Sequence, residues 1–247
     1  MLKKNIPNIL TSFNLLSGCL AAYFAYNHFF SACLVFCLLG IIFDFLDGFF
    51  AKLLNVESEI GKYLDSLSDI ITSGFVPGII MYQLFFLSGV KEFNFVYNIN
   101  SFNIIFSIAP LALIGFLITL GSAFRLAKFN TIDSVTDHFE GLPTPANSIF
   151  IVSIPSLINN EIFINLKPFI LNPVSLIIIT FSSIFLMNIN WKLFKIRFYR
   201  DFNLLIYPIL LFIFSIILFL LLKQGAFALI IIFYLLLSLV KNIISNN

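Results

Sequence analysis

Charge is what this 247-residue chain has least of: only 11% of its residues are Asp, Glu, Lys or Arg, against about a quarter in an ordinary soluble domain. With 60% hydrophobic residues and a mean hydropathy of +1.03, that scarcity excludes a water-soluble globular domain. The formal net charge of +2 is too small to argue for a nucleic-acid partner, so none is expected. Cysteine is rare as well. Cys19, Cys33 and Cys37 all fall in the first two apolar runs, and no histidine stands near enough to complete a zinc site. They read as small packing residues rather than a disulfide or a metal centre.

What is abundant is apolar sequence in runs of about 20 residues, the length of a bilayer-crossing helix. Such runs select a helical bundle over a β-barrel. Spans are expected over about Pro7–Tyr26, Phe30–Leu54, Gly61–Leu87, Phe102–Lys128, Pro145–Leu157, Asn172–Asn190, Leu204–Leu222 and Ala226–Val240. The fifth is the shortest and contains Pro155. LLSGC near the start resembles a lipoprotein cleavage box, but the membrane sequence that follows favours an uncleaved first span. The expected fold class is therefore all-α, a polytopic transmembrane bundle of eight spans. If both termini are cytoplasmic, eleven of the fourteen basic residues fall on the cytoplasmic side, leaving only Lys91, Lys167 and Lys223 on the other. That bias is what the positive-inside rule demands.

One stretch does not fit as membrane filler. Asp44 and Asp47 lie late in the second span, and Asp65 and Asp69 early in the third. Spacings of three and four put each pair on one helix face. A carboxylate at mid-bilayer costs about 2.5–3.5 kcal/mol on insertion scales, and four together also repel. A bound divalent cation relieves both penalties, and an all-oxygen donor set suits Mg²⁺, Mn²⁺ or Ca²⁺ rather than zinc. Such ions commonly complete their coordination with phosphate oxygens. Gly48 follows Asp47 directly and Gly61 stands one turn before Asp65, so a bulky ligand can approach the backbone at both. Ala51, Ser66, Ser68, Ser73 and Gly74 keep the neighbouring turns small. The composition of the hairpin is that of a floor for a nucleotide diphosphate.

Asp44, Asp47, Gly48, Ala51, Gly61, Asp65 and Asp69 together resemble the signature of the CDP-alcohol phosphatidyltransferases, DxxDGxxAR, eight residues, then GxxxDxxxD. Every spacing agrees. Lys52 stands where the family usually has Arg, which keeps the charge but loses the bidentate fork. The segment GSAFRLAKFNTIDSVTDHFEGLPTPAN, Gly121–Asn147, and the opening KKNIPNILTSFNLLSG are similar to bacterial phosphatidylserine synthases. The resemblance implies transfer of a phosphatidyl group from CDP-diacylglycerol to the hydroxyl of L-serine, with release of CMP. It also implies two divalent ions, Mg²⁺ or Mn²⁺, held by Asp44, Asp47, Asp65 and Asp69, with Asp69 additionally the general base. Gly48, Ala51, Gly61 and Lys52 become the expected nucleotide contacts; Asn8 and Thr11 join them as candidates that read equally well as polar helix-packing residues. For the serine carboxylate the first choice is Arg125 and the second Lys128; both, with His138 in the same segment, also read as ordinary cytoplasmic anchors.

By the same resemblance, residues 1–158 form the catalytic core and 159–247 add three spans to one membrane domain. The expected location is a bacterial inner membrane with the site facing the cytoplasm, and a homodimer is the expected assembly. Two rivals stand beside this reading. The same chemistry could serve another acceptor, glycerol 3-phosphate or inositol phosphate, although a phosphorylated acceptor calls for a denser basic cluster. Intramembrane carboxylates also occur in cation transporters, but the later spans carry no comparable acidic residues.

Overall fold

The computed structural model describes residues 2–99, 102–131, 139–194 and 202–245. His138 lies outside them. Helices α1 (Leu2–Tyr26) and α2 (Phe30–Leu53) form an antiparallel pair, turning at His28. Helix α3 (Glu59–Asp69) continues through a π-helical segment, Ile70–Phe75, into α4 (Val76–Leu87). Then come strands β1 (Phe93–Ile99) and β2 (Phe102–Ile108), a 3₁₀ turn over Ala112–Phe116 and helix α5 (Leu117–Asn130). Strand β3 (Phe139–Glu140), helices α6 (Thr144–Ile158), α7 (Lys167–Ile170) and α8 (Pro173–Asn188), strand β4 (Lys192–Leu193), and helices α9 (Phe202–Leu222) and α10 (Ala226–Ser245) complete the described chain.

Five helical stretches among the described residues are long and apolar enough to cross a membrane: Asn5–Tyr26, Phe30–Leu53, Glu59–Leu87, Ala112–Asn130 and Leu205–Ile243. A sixth arises if Thr144–Ile158 and Glu161–Ile170, bent by 95°, act as one. The last of the five contains α9 and α10, which fold back on each other at Lys223, a residue with φ +50°. The rings of Phe214 and Phe233 lie 4.0 Å apart across that turn, whereas a continuous helix would separate them by about 28 Å.

The third stretch is central. Of its apolar window 67% is buried, against 33% for α1 and 28% for α2 and for Ala112–Asn130. Ile80, Met81, Leu84 and Phe85 of α4 pack with Leu34, Ile118 and Ile151 in the core. Outward faces carry large apolar side chains such as Phe13, Leu16, Ile42 and Phe212, as lipid contact requires. The π-helical widening has a local cause. Pro77 has no N–H to give the carbonyl of Ser73, so the preceding turn opens. The carbonyl of Thr72 accepts from the Ser148 hydroxyl at 3.2 Å and lies 3.9 Å from Cys37 Sγ, which ties α6 and α2 to this turn.

One boundary differs from the sequence expectation. The fourth expected span begins at Ala112, not Phe102, because Phe93–Ile99 and Phe102–Ile108 pair as an antiparallel hairpin, Phe93 opposite Ile108. Aromatic and β-branched residues alternating with Asn and Ser favour strand; apolar content alone does not separate the two states.

The α1–α2 turn at His28, the end of α6 at Asn159 and the α9–α10 turn at Lys223 line one cavity, so these turns share one end of the bundle. Asp44 stands sixteen residues along α2 from His28, about 24 Å away. The acidic hairpin therefore occupies the opposite end.

Candidate active site

Two local signals build the acidic hairpin. Asn55, at φ +51°, adopts the left-handed conformation that closes α2. Ser58 then caps α3, its hydroxyl accepting from the Gly61 amide at 3.1 Å. The short turn leaves the last turns of α2 facing the first turns of α3 across an open gap, with α1 packed on both. Carboxylate oxygens of Asp44, Asp47 and Asp65 lie within 4.8 Å of one another. Asp69, one turn deeper, is 9% exposed and Asp47 4%. The three that converge do not include Asp69.

These residues fit a divalent cation. Oδ1 of Asp65 is buried without a hydrogen-bond partner, and an orphaned carboxylate oxygen in the interior is costly unless a cation or donor satisfies it. All donors are oxygens, the set that hard ions prefer.

Helix α1 supplies the neutral donors. The Thr11 hydroxyl donates to Asp47 Oδ2 at 2.6 Å, and Asn14 Nδ2 donates to Asp69 Oδ1 at 3.2 Å. Asn14 is oriented in turn by Thr72, whose hydroxyl donates to Asn14 Oδ1 at 2.7 Å. Ser68 Oγ lies 3.3 Å from the Thr11 carbonyl. Of the two roles open to Thr11 from the sequence, a nucleotide contact or a polar contact between helices, its hydroxyl makes the second, on Asp47 of α2. Asn14 and Thr72 were missed. A usable signal was present for Asn14, a polar residue three positions after Thr11 on the same face of an apolar span.

A cavity of about 570 Å³ opens beside the cluster. All six expected nucleotide contacts, Asn8, Thr11, Gly48, Ala51, Lys52 and Gly61, line it together with Asp47, Asp65, Lys62 and the turn Val56–Glu59. A Cβ built on Gly48 would meet nothing within 4 Å, so the backbone there borders open space. At Gly61 a Cβ would come 3.1 Å from Ser58 Oγ and 3.2 Å from Asn8 Oδ1. Lys62 reaches back to the Asn130 carbonyl at 3.3 Å, linking this wall to the end of α5.

Arg125 and Lys128 do not line that cavity. Arg125 Nη1 donates to the Met187 carbonyl and Nη2 to that of Gly141 at 3.4 Å. Lys128 donates to Asn190 Oδ1 at 2.8 Å. The GLPTPAN segment docks here: Gly141 N donates to the Trp191 carbonyl and Leu142 N to that of Leu186, both at 2.8 Å. Gly141 has φ +70°, and a Cβ on it would lie 2.6 Å from the Met187 carbonyl oxygen. Only glycine fits that corner.

An acidic cage, open to a cavity that carries two lysines, can hold divalent cations against an anionic ligand. A profile described as CDP-alcohol phosphatidyltransferase matches residues 4–187. Archaetidylserine synthase from Methanothermobacter thermautotrophicus is 31% identical over 151 residues, 60% of this chain and 56% of that protein. CDP-diacylglycerol–serine O-phosphatidyltransferase from Methanocaldococcus jannaschii is 33% identical over 156 residues, 63% of this chain and 62% of its own length. CDP-diacylglycerol–glycerol-3-phosphate 3-phosphatidyltransferase from Aquifex aeolicus is 42% identical over 65 residues, 26% of this chain and 36% of its own length. The matches thus span less than two thirds of each of these three relatives.

Proposed function

The chain belongs to the CDP-alcohol phosphatidyltransferase family, and from that premise we propose that it transfers a phosphatidyl group from CDP-diacylglycerol to the hydroxyl of L-serine, releasing CMP. One observation carries this: Asp44, Asp47 and Asp65 converge within 4.8 Å at the edge of a cavity lined by Gly48, Ala51 and Gly61. Likeness to relatives named for serine supports the acceptor.

Asp44, Asp47, Asp65 and Asp69 hold the metal in this proposal, as two ions of Mg²⁺ or Mn²⁺. When bound, such ions neutralise pyrophosphate charge and polarise the phosphoryl group. Cytidine and ribose lie along Gly48, Ala51 and Gly61, with Lys52 and Asn8 at the cavity wall. Asp69 accepts the proton of the serine hydroxyl. The serine oxygen forms a bond to the β-phosphorus as the bond from that phosphorus to CMP breaks. Arg125 meets the serine carboxylate in this proposal, with Lys128 as the second candidate.

An eight-span bundle with both termini cytoplasmic belongs to the same proposal, supported by the basic-residue bias and by the gathering of three turns at the end opposite the aspartates. It sets the site at the cytoplasmic face of the cell membrane, where a lipid-tailed nucleotide and soluble serine meet. Residues 1–158 form the catalytic core there. The family resemblance also supports a homodimer.

Glycerol 3-phosphate is the second acceptor, favoured by the Aquifex relative. Purified protein given CDP-diacylglycerol, Mn²⁺ and serine, glycerol 3-phosphate or inositol phosphate in turn separates the acceptors. Serine should give CMP and phosphatidylserine. CMP release with glycerol 3-phosphate alone would transfer the proposal to that acceptor, and no product with any of them would end it.

A further inference from the structure

The carboxylate of Asp69 is reached by a buried chain of neutral donors that no signature residue supplies. Thr72 Oγ1 lies 2.7 Å from Asn14 Oδ1 and 3.3 Å from the Asn14 carbonyl oxygen, so the side-chain oxygen is the closer acceptor of its single proton. With Oδ1 accepting, the amide must present Nδ2 to Asp69, where it stands 3.2 Å from Oδ1. A flipped amide would set its oxygen against the carboxylate. Asn14 and Thr72 are both 0% exposed, so water offers no alternative partner.

Thr72 is itself locked. A Cβ built on Gly18 of α1 would fall 2.5 Å from Thr72 Oγ1, and one on Gly40 of α2 would fall 2.6 Å from Thr72 Cγ2. Two glycines on two helices thus form a slot that admits the threonine in one rotamer, with the hydroxyl towards α1 and the methyl towards α2.

We infer that Asn14, oriented by Thr72, is a positioning residue for Asp69. The amide occupies Asp69 Oδ1 and fixes the carboxylate plane, which leaves Oδ2 to serve the cation and the acceptor proton. The inference rests on the role proposed for Asp69 and adds that its geometry is set from α1 through the π-helical turn rather than by the acidic hairpin alone.

The test compares Asn14→Leu, Thr72→Val, Thr72→Ser and the double variant Asn14→Leu/Thr72→Val. Each is measured for melting temperature, for Mn²⁺ affinity without substrate, and for kcat and KM. Asn14→Leu should lower kcat and Mn²⁺ affinity about 10- to 100-fold, the range for partners that orient metal ligands, with the KM for CDP-diacylglycerol little changed. Thr72→Val should fall in the same direction, and Thr72→Ser should restore most of the loss. Because Thr72 acts through Asn14, the double variant should be no worse than Asn14→Leu alone. Losses that multiply in the double variant, or a lowered melting temperature with Mn²⁺ affinity and kcat at wild-type values, would overturn the inference. Absence of CMP release from wild-type protein would instead remove the proposed reaction, and the Mn²⁺ titrations would still decide whether Asn14 positions Asp69.

Discussion

The hydroxyl of Thr11 stands 2.6 Å from Oδ2 of Asp47, which ties the first helix to a carboxylate of the second across the tightest polar contact in the cluster. The same oxygen lies 3.0 Å from the Pro7 carbonyl, but the anionic acceptor is closer and takes the proton more strongly.

Thr11→Val keeps the shape and deletes that donor. A hydrogen bond to a charged group contributes about 1.5–3 kcal/mol, so Mn²⁺ affinity should fall about 10- to 100-fold by calorimetric titration, while Thr11→Ser stays near wild type. Unchanged affinity in Thr11→Val would remove Thr11 from the support of Asp47.

Gly48 and Gly40 stand two helical turns apart on α2 and should respond in opposite ways. A side chain at Gly48 enters open cavity on a helix that gains propensity from losing glycine. Gly48→Leu should therefore keep or raise the melting temperature and increase the KM for CDP-diacylglycerol by more than about tenfold, the effect of filling a site that a ligand must occupy. Gly40→Ala should lower the melting temperature, because its Cβ would fall 2.6 Å from Thr72 Cγ2. A Gly48→Leu protein with wild-type KM would displace the nucleotide from this cavity.

Arg125 binds the backbone carbonyls of Met187 and Gly141, an arrangement that fixes its guanidinium at the corner where GLPTPAN meets α8. Arg125→Ala should lower the melting temperature, since it strips a charged donor from two carbonyls, and should raise the KM for serine more than that for CDP-diacylglycerol. An equal change in the two constants would confine Arg125 to the structural corner.

The acidic hairpin was legible in the sequence because its physics is local and severe: four carboxylates in apolar runs demand compensation. That Asn8, Gly48, Ala51 and Gly61 belong to one site was an expectation of the family resemblance, and one cavity is lined by all four. Legibility ended where contacts became long-range. Asn14 meets Asp69 across 55 residues, and nothing in its neighbours announces the partner. The Gly18–Thr72–Gly40 slot is likewise assembled from three separate segments. The strand pair Phe93–Ile108 was misread for a different reason, since counting apolar residues without their period-two alternation makes FNIIFSI the start of a span. Pro77 was a readable signal for the widened turn before it, through the N–H it lacks.

Release of CMP from CDP-diacylglycerol in the presence of serine, with and without Mn²⁺, by wild-type protein and by Asp69→Asn, bears most directly on the acidic cluster as a metal-dependent transferase centre. Wild type should release CMP only with the cation present and lose it on chelation, while Asp69→Asn, expressed and folded to the same extent, should release none. CMP release at the wild-type rate from Asp69→Asn, or from metal-free wild type, would contradict the account.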